Sequence, residues 1–378
     1  MRILHFYRTY SQSYGGIEQV IYQLCVGATR RGIETEVLTL SRDKAETESE
    51  IVIEGHRVIR ARLDFEIAST GFSHSVFGKF RELAAQADVI HYHFPWPFMD
   101  VVHFATGVAR LNKPTVVTYH SDIVRQKLLL QFYRPLMHRF LGSVDRIVAS
   151  SPNYLATSSV LARHAEKVVV IPYGLDKSGA SYPLPEAERL ADWRRRVGEK
   201  FFLFVGVLRY YKGLHILLDA ACGCDYPIVI VGAGPIEAEL KEHARRNGLH
   251  HVIFLGALSD IDKAALLTLC HAIVFPSHLR SEAFGISLLE GAMYGKPMIS
   301  SEIGTGTSFI NIDNETGRVV PPSDPAAFRA AMDFLWNNPA AATEMGRRAA
   351  ARYEELFTAD RMAEGYVQLY RELLAERR

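Results

Sequence analysis

The sequence lacks the features that mark several large classes of protein. It has no run of about eighteen apolar residues, the length that would predict a membrane-spanning helix. Its few cysteines form no C-x-x-C pair and no disulfide framework, which indicates a reducing compartment such as the cytoplasm. The opening residues, MRILHFYRTY, do not have the pattern of a signal peptide. A net charge of +1 gives no overall field that favours nucleic acid.

Complete nucleotide-binding fingerprints are also missing. The stretch 13–24, SYGGIEQVIYQL, fits neither the P-loop nor the dinucleotide pattern, and 229–240, VIVGAGPIEAEL, lacks the third glycine. Gly15 and Gly16 nevertheless precede an amphipathic helix, where glycine lets the backbone approach an anion, although such a pair also serves structural turns. We interpret the turn around Gly234 as a nucleotide contact.

Short apolar runs alternate with helical patterns along both halves of the 378-residue chain. The first half contains RILHF (2–6), TEVLTL (35–40), DVIHYHF (88–94), PTVVTYH (114–120), DRIVAS (145–150) and KVVVIPYG (167–174), and the second contains FFLFVGV (201–207), PIVIVGAG (227–234), HVIFLGAL (251–258), HAIVFPS (271–277) and KPMISS (296–301). This alternation predicts an α/β protein with two doubly wound parallel sheets. The predicted domains are 1–175 and 176–357, with a final segment at 358–378.

Ligands of such sheets bind beyond the carboxyl ends of the strands, and unusual residues lie there. His120 follows PTVVTYH, and Arg209 and Lys212 follow FFLFVGV. Two cations at this edge fit a diphosphate, because Arg can grip two oxygens and Lys adds a point charge. The alternatives are a core histidine and a solvated loop.

The segment 281–297, SEAFGISLLEGAMYGKP, places an acid among apolar residues. Indexed as a helix that begins near Gly285, it puts Glu290 on the same buried face as Leu289 and Met293. A buried carboxylate requires a partner, so Glu290 either pairs with an Arg or Lys or binds a ligand. Glu282 lies just before the helix, where the helix dipole favours negative charge.

Metal-binding patterns are weak. His91 and His93 face one side of a predicted strand, but no further ligand has suitable spacing for zinc. Asp260 and Asp262 form an Asp-x-Asp pair that could hold a divalent ion and that more simply begins a helix. We therefore predict no metal site.

The stretch 123–142, IVRQKLLLQFYRPLMHRFLG, alternates basic and apolar residues. Such a helix can lie on anionic lipid, and a core helix with a cationic outer face has the same pattern. Peripheral contact with a membrane is one interpretation of this segment.

Taken together, these segments resemble the retaining glycosyltransferases of family 4, which have the two-domain GT-B fold with a cleft between facing Rossmann-like domains. Glu282 and Glu290 match the family's E-x7-E motif, and GGIEQ, TYHSD, GVLRYYKG, VGAGP and FPS occur in the family's order. The resemblance implies an acceptor-side first domain, a sugar-nucleotide-binding second domain and a C-terminal helix that returns to the first.

The resemblance also implies roles for individual residues. Glu290 would accept hydrogen bonds from the ribose, and Glu282 and His120 would lie beside the transferred sugar. Arg209 and Lys212 would neutralise the diphosphate. The remaining donor-binding residues would be Gly15, Gly16, Gly234, Phe284, Gly285 and Ile286.

The stretch 279–322 is similar to bacterial mannosyl- and rhamnosyltransferases that use GDP-linked sugars. It implies transfer of mannose or D-rhamnose from a GDP-sugar to a polyprenyl-diphosphate-linked glycan in O-antigen assembly. Because two cations already serve the diphosphate and the Asp-x-Asp pattern is weak, we expect no cofactor and no essential metal. A UDP-sugar enzyme of the same family, a nucleotide-linked epimerase or oxidoreductase, and an inactive carbohydrate-binding relative are the alternatives.

Overall fold

The computed structural model divides into two compact units, Met1–Gly174 with Ala359–Arg378, and Leu175–Thr358. It describes residues 1–10, 15–41, 48–67, 70–123, 127–177, 179 and 182–377. Within those ranges, no helix combines the length and apolar character needed to cross a membrane.

Each unit contains a sheet that is parallel over most of its width. The strands of the first unit are β1 (Arg2–Phe6), β2 (Glu34–Leu40), β3 (Ser49–Ile53), β4 (His56–Ala61), β5 (Phe65–Ile67), β6 (Thr70–Phe72), β7 (Val89–Phe94), β8 (Thr115–Tyr119), β9 (Arg146–Ala149) and β10 (Val168–Val170). Those of the second are β11 (Phe202–Val205), β12 (Ile228–Val231), β13 (Val252–Gly256), β14 (Ala272–Phe275), β15 (Met298–Ser301) and β16 (Gly317–Val320).

The sheet of the first unit has the order β10-β9-β8-β7-β1-β2-β4-β3, in which β3 pairs antiparallel with β4, and β5 and β6 form a separate hairpin. The sheet of the second has the order β13-β12-β11-β14-β15-β16 and is parallel in every recorded pair. In each sheet the strand order reverses beside the first strand: β1 lies between β2 and β7, and β11 lies between β12 and β14. In doubly wound sheets ligands bind at such switch points.

Helices cover the sheets. Those of the first half of the chain are α1 (Gly16–Thr29), α2 (Ser75–Gln86), α3 (Pro97–Ala105), α4 (Lys127–Ser143), α5 (Pro152–Thr157) and α6 (Ser159–Ala162). They are followed by α7 (Ala187–Val197), α8 (Leu214–Ala221), α9 (Glu237–Arg246), α10 (Asp260–Leu269), α11 (Ile286–Met293), α12 (Thr307–Ile310), α13 (Pro325–Asn337), α14 (Pro339–Leu356) and α15 (Ala359–Ala375). The last helix belongs to the first unit, where Tyr366 and Tyr370 hydrogen-bond to Thr118 and His91.

The predicted apolar runs are confirmed as strands: β1 matches its run, β2 begins one residue earlier, and the other strands are one to a few residues shorter than their runs. They are recognisable because both faces of a parallel sheet are covered: every residue of β7 and of β8 is buried. The segment after β9 forms two short helices, since Ser158 caps α6 through the N–H of Leu161 and separates it from α5.

Candidate active site

The turn before α11 positions the two glutamates. Gly285 has φ of +101°, a left-handed conformation that other residues adopt at a cost, and the helix begins at Ile286 as predicted. The prediction of one buried face is wrong, because every residue from Ser287 to Met293 is buried as α11 packs against β14 and α14. The Phe284 ring is also buried, in edge contact with Phe357, and contributes to the core of the second unit.

Glu282 and Lys212 form a buried ion pair at the carboxyl edge of the second sheet. Lys212 Nζ lies 2.5 Å from Glu282 Oε2, and each side chain is only 11% exposed. Burial alone would lower the pKa of Lys212, but the Glu282 carboxylate, with smaller help from Tyr211 and Glu290, raises it above the ordinary lysine value. The ammonium group therefore stays charged while it is shielded from water.

Glu290 has two partners that sequence reasoning did not identify. Its Oε1 accepts hydrogen bonds from the Tyr182 hydroxyl at 2.8 Å and from Lys263 Nζ at 3.1 Å. Lys263 Nζ also lies 4.7 Å from the centre of the Tyr182 ring. Burial opposes charge on Lys263, yet the Glu290 and Asp260 carboxylates raise its pKa. Of the two alternatives for Glu290, the structure shows pairing with a lysine.

Arg209 differs from Lys212 in its surroundings. It directly follows Leu208, precedes the short 3-10 turn Tyr210–Lys212, and is exposed. In the part of the chain that the structure describes, no hydrogen bond or ion pair of its guanidinium is recorded. Arg209 and Lys212 thus place one solvated and one shielded cation in the same turn.

Gly234 has a structural reason to be glycine. A Cβ at this position would lie 2.3 Å from the carbonyl oxygen of Leu208, because the turn after β12 packs directly on the turn after β11. The Leu208 N–H donates to the Ala233 carbonyl at 3.0 Å and locks the two turns together. Gly234 therefore positions the turn that carries Arg209, and its contact with a nucleotide stays a prediction.

His120 lies at the end of β8 in the first unit and is held on both sides. Its Nε2 is 3.0 Å from His93 Nδ1, and its Nδ1 is 2.6 Å from the Tyr173 hydroxyl. The ring is 3% exposed, and burial lowers its pKa to about 3, so it is neutral near pH 7. To contact a sugar, the ring would have to exchange one of these two hydrogen bonds.

A third histidine joins His91 and His93, which their spacing in the sequence could not show. His5 on β1 is the register partner of His91 on β7, and ligand atoms of His5, His91 and His93 lie within 4.8 Å of one another. Hydrogen bonds already engage these rings: His5 Nδ1 is 3.1 Å from His93 Nε2, and His91 bonds to Tyr370 and Thr118, each at 2.7 Å. A metal ion would have to displace several of these bonds.

The Asp-x-Asp pair begins a helix. Asp260 and Asp262 occupy the first turn of α10, whose N-cap, Ser259, accepts a hydrogen bond from the Asp262 N–H. The Asp262 carboxylate is already bonded to Arg189 at 2.6 Å and to the Trp193 indole at 2.9 Å. Its oxygens join α7 to α10, which favours a helix start over a divalent metal site.

The remaining predicted residues lie in the first unit. Gly16 begins α1 and Gly15 is its N-cap, with extended backbone and no crowding except the flexible end of Glu18. Within 123–142, the structure describes α4 from Lys127 onward, and Arg125 lies outside the described residues.

Two family descriptions match the sequence in order. The description "Glycosyltransferase Family 4" matches residues 14–178, and "Glycosyl transferases group 1" matches residues 186–352. The boundary between the two matches falls in the polar segment that precedes α7.

Curated relatives match nearly the whole chain. The D-rhamnosyltransferase WbpZ of Pseudomonas aeruginosa is 67% identical over 360 residues, which cover 95% of this chain and 93% of that protein. The O-antigen chain mannosyltransferase C of Escherichia coli is 54% identical over 375 residues, with 99% of each chain covered.

Solved structures confirm the predicted GT-B fold. Sucrose-phosphate synthase from Thermosynechococcus elongatus superposes with a TM-score of 0.81 at 23% identity, and 99% of each chain is covered. Anabaena HepE in complex with UDP and glucose gives 0.77 at 20% identity, with 97% of this chain and 98% of that chain covered. At these identities the likeness establishes the fold alone.

Proposed function

The chain belongs to the family 4 glycosyltransferases, and from this premise we propose that it transfers mannose or D-rhamnose from a GDP-sugar to a lipid-linked glycan, with retention of configuration. The two most similar relatives named above are a D-rhamnosyltransferase and an O-antigen mannosyltransferase, which supports this choice of sugar and a role in O-antigen assembly. The assignment of GDP as the donor nucleotide rests on the similarity of residues 279–322 to enzymes that use GDP-sugars.

The observation that carries the reaction is the turn that holds a shielded Lys212 next to an exposed Arg209. When the bond between sugar and phosphate breaks, negative charge develops on the leaving diphosphate. A cation that is already oriented and shielded from water stabilises this charge more than it stabilises the ground state. In the proposal, Glu282 holds Lys212 in place, and Arg209 supplies the second charge.

The other predicted residues act on the donor and the sugar. Glu290 exchanges its bond from Tyr182 for the ribose hydroxyls, while Lys263 stays in contact with the carboxylate. His120 exchanges one of its two bonds for a sugar hydroxyl. The acceptor hydroxyl attacks from the leaving-group side, and its proton passes to the departing phosphate. Two cations already serve the diphosphate, so we propose that no divalent metal is essential.

The donor assignment is tested by release of free nucleotide. Purified protein is incubated with a polyprenyl-linked acceptor and, separately, GDP-mannose, GDP-D-rhamnose, UDP-glucose and UDP-N-acetylglucosamine. We expect turnover with one or both GDP-sugars and little with the UDP-sugars, because a site built for one base rejects another that leaves its polar groups unpaired. Efficient turnover of a UDP-sugar with neither GDP-sugar would overturn the donor assignment. Activity that survives chelation would support the metal-free mechanism.

The proposal includes peripheral contact with the membrane that carries the acceptor. Leu129 and Phe132 on α4 are 56% and 85% exposed, and Arg134 and Arg139 follow on the same helix. Apolar and basic side chains together favour an anionic lipid surface.

A further inference from the structure

A basic cavity opens between α4 and α6 of the first unit. Its volume is about 460 Å³, and it is lined by Arg134, Pro135, His138, Ser159, Val160 and Arg163. No carboxylate lines it, and among the described residues neither Arg134 nor Arg163 forms an ion pair. Two guanidinium groups that face one cavity without a counter-charge form a site that favours an anion.

Hydrogen bonds orient the donors around the cavity. Arg163 Nη1 donates to His138 Nε2 at 3.1 Å, so the His138 proton lies on Nδ1, which is 3.3 Å from His164 Nε2. Burial, followed by the charge of Arg163, lowers the pKa of His138, which keeps the imidazole neutral near pH 7. The net charge of the cavity is therefore set by Arg134 and Arg163, and the Ser159 hydroxyl adds a further donor.

The cavity is tied to the strand end that carries His120. Ser158, the N-cap of α6, donates through Oγ to Asp122 Oδ1 at 2.8 Å, and the Asp122 N–H donates to the Tyr154 hydroxyl at 2.6 Å. Asp122 is only two residues beyond His120. The helix that lines the cavity is thus fixed to the carboxyl end of β8.

Exposed apolar side chains precede the cavity-lining residues on α4. Phe132 is two residues before Arg134 on α4 and is 85% exposed, and Leu129, one turn earlier, is 56% exposed. A large exposed aromatic on the helix that carries Arg134 fits a ligand that joins an anionic group to a long apolar chain.

We propose that this cavity binds the diphosphate of the lipid-linked acceptor, with the lipid chain along Leu129 and Phe132. The inference rests on the proposed function, which it deepens by assigning a site to the acceptor. Charge decides between candidate ligands: a diphosphate that bridges lipid and sugar carries two negative charges, which match Arg134 and Arg163. A phospholipid phosphodiester carries one.

Vesicle binding tests the assignment directly. The full-length protein is mixed with neutral phosphatidylcholine vesicles that contain undecaprenyl diphosphate joined to a sugar, which carries two negative charges, or phosphatidylglycerol at matched surface charge, and the bound fraction is measured by flotation. Arg134→Gln and Arg163→Gln should each weaken binding to the diphosphate vesicles by about tenfold or more, the loss expected for one charge-assisted contact. Binding to phosphatidylglycerol should change much less.

Arg81→Gln is the control, because Arg81 is an exposed arginine on α2 of the same unit that lines neither the cavity nor the 123–142 segment. It should leave diphosphate binding unchanged. If the Arg134 and Arg163 variants lose equal affinity for both vesicle types, the cavity is a phospholipid site. If all three variants lose equal affinity, binding depends on general surface charge and not on the cavity. Either outcome overturns the proposal, as does undiminished binding by the Arg134 and Arg163 variants with unchanged melting temperatures.

The donor side is assayed separately, through calorimetry with GDP. If the cavity variants lose diphosphate binding but the wild type transfers no sugar from a GDP-sugar, the proposed function fails while the anion site stands. If the GDP-sugar reaction proceeds and the cavity variants raise neither the acceptor KM nor the vesicle dissociation constant, the cavity assignment fails while the function stands.

Discussion

At the scale of single residues, Glu290 is a buried acid whose carboxylate accepts hydrogen bonds from Tyr182 and Lys263. Removal of the carboxylate by Glu290→Ala leaves Lys263, only 20% exposed, without its main partner. Such a loss should lower the free energy of unfolding by about 3 kcal/mol. The double variant Glu290→Ala with Lys263→Met should recover much of it in urea denaturation. No recovery would mean that the pair does not carry the destabilisation.

Glu290→Gln separates binding from folding. The amide oxygen still accepts from Tyr182 and Lys263, so the melting temperature should fall less than in Glu290→Ala. The lost negative charge should weaken GDP binding by about tenfold, because charge-assisted hydrogen bonds to ribose become neutral ones. Calorimetry with GDP measures this effect. Unchanged affinity in the folded variant would remove the ribose role.

Arg209→Gln should lower turnover by about a hundredfold, as removal of a transition-state charge partner does in other enzymes. Its exposed guanidinium has no recorded partner in the described part of the chain, so stability should stay the same. Arg245→Gln is a suitable control, because Arg245 is an exposed arginine that pairs only with Glu242 on α9. Near-normal turnover of the Arg209 variant would place the diphosphate elsewhere.

Sequence alone could identify which residues are unusual, but not which atoms they meet. Lys263 and Glu290 are 27 positions apart, and Tyr182 lies 108 positions before Glu290 in a polar segment that reads as a linker. Both partners become neighbours only when α10 and α11 pack inside the second unit. Lys263 directly follows the Asp-x-Asp pair in the stretch 259–264, SDIDKA, and nothing in that pattern indicates a buried lysine.

At the scale of elements, the turns after β11 and β12 are fixed by a close backbone contact. Gly234→Ala should force them apart, since its Cβ would lie 2.3 Å from the Leu208 carbonyl oxygen. We expect a loss of about 2 kcal/mol in stability. Turnover should fall together with it, because Arg209 follows Leu208. A variant that is stable and fully active would contradict this packing argument.

Gly15→Ala tests the opposite case. The nearest atom to its new Cβ, Glu18 Oε2 at 2.6 Å, is the end of a flexible side chain, and the backbone is extended. Stability should therefore change by less than about 0.5 kcal/mol. If the backbone here approaches the donor, the KM for the sugar nucleotide should still rise. A variant with unaltered kinetics would exclude that approach.

Two of the strands that sequence reasoning missed, β4 and β16, contain arginine. β4, HRVIRA, contains two arginines, and its Arg57 is tolerated because it pairs with Glu36 on β2 and Glu50 on β3. These carboxylates come close to Arg57 only when the strands pair in the folded sheet. In the sequence, the arginines interrupt the apolar run, so a search for apolar runs does not predict β4. β16, GRVV, is short and lies at the edge of its sheet, where an arginine is more easily accommodated than in a central strand.

At the scale of the whole molecule, the two units differ in their buried histidines. The first unit buries His5, His56, His91, His93, His103 and His120. Burial lowers the pKa of His5 and His120 to about 3 and that of His56 and His103 to about 4, and it also lowers the pKa of His91 and His93 well below 6.5. The histidines of the second unit are less deeply buried.

These histidines should make the first unit the more sensitive to acid. Their folded pKa values lie below the unfolded value of 6.5, so the unfolded chain binds more protons between about pH 6.5 and pH 4. The free energy of unfolding is therefore highest above that window. It falls as the pH decreases through the window, by up to about 1.4 kcal/mol per pH unit for each histidine. We expect the first unit to unfold before the second in this range.

Tryptophan fluorescence can report each unit separately, because Trp96 lies in the first and Trp193 and Trp336 lie in the second. Urea titrations at pH 7 and pH 5 are compared for Trp193→Phe/Trp336→Phe and for Trp96→Phe. The midpoint followed by Trp96 should fall further on acidification than the midpoint followed by the other two. Titrations at pH 7 in which each variant matches the wild-type circular dichroism midpoint serve as the control. Equal shifts, or earlier loss of the second unit, would show that the buried histidines do not set the acid stability of the first.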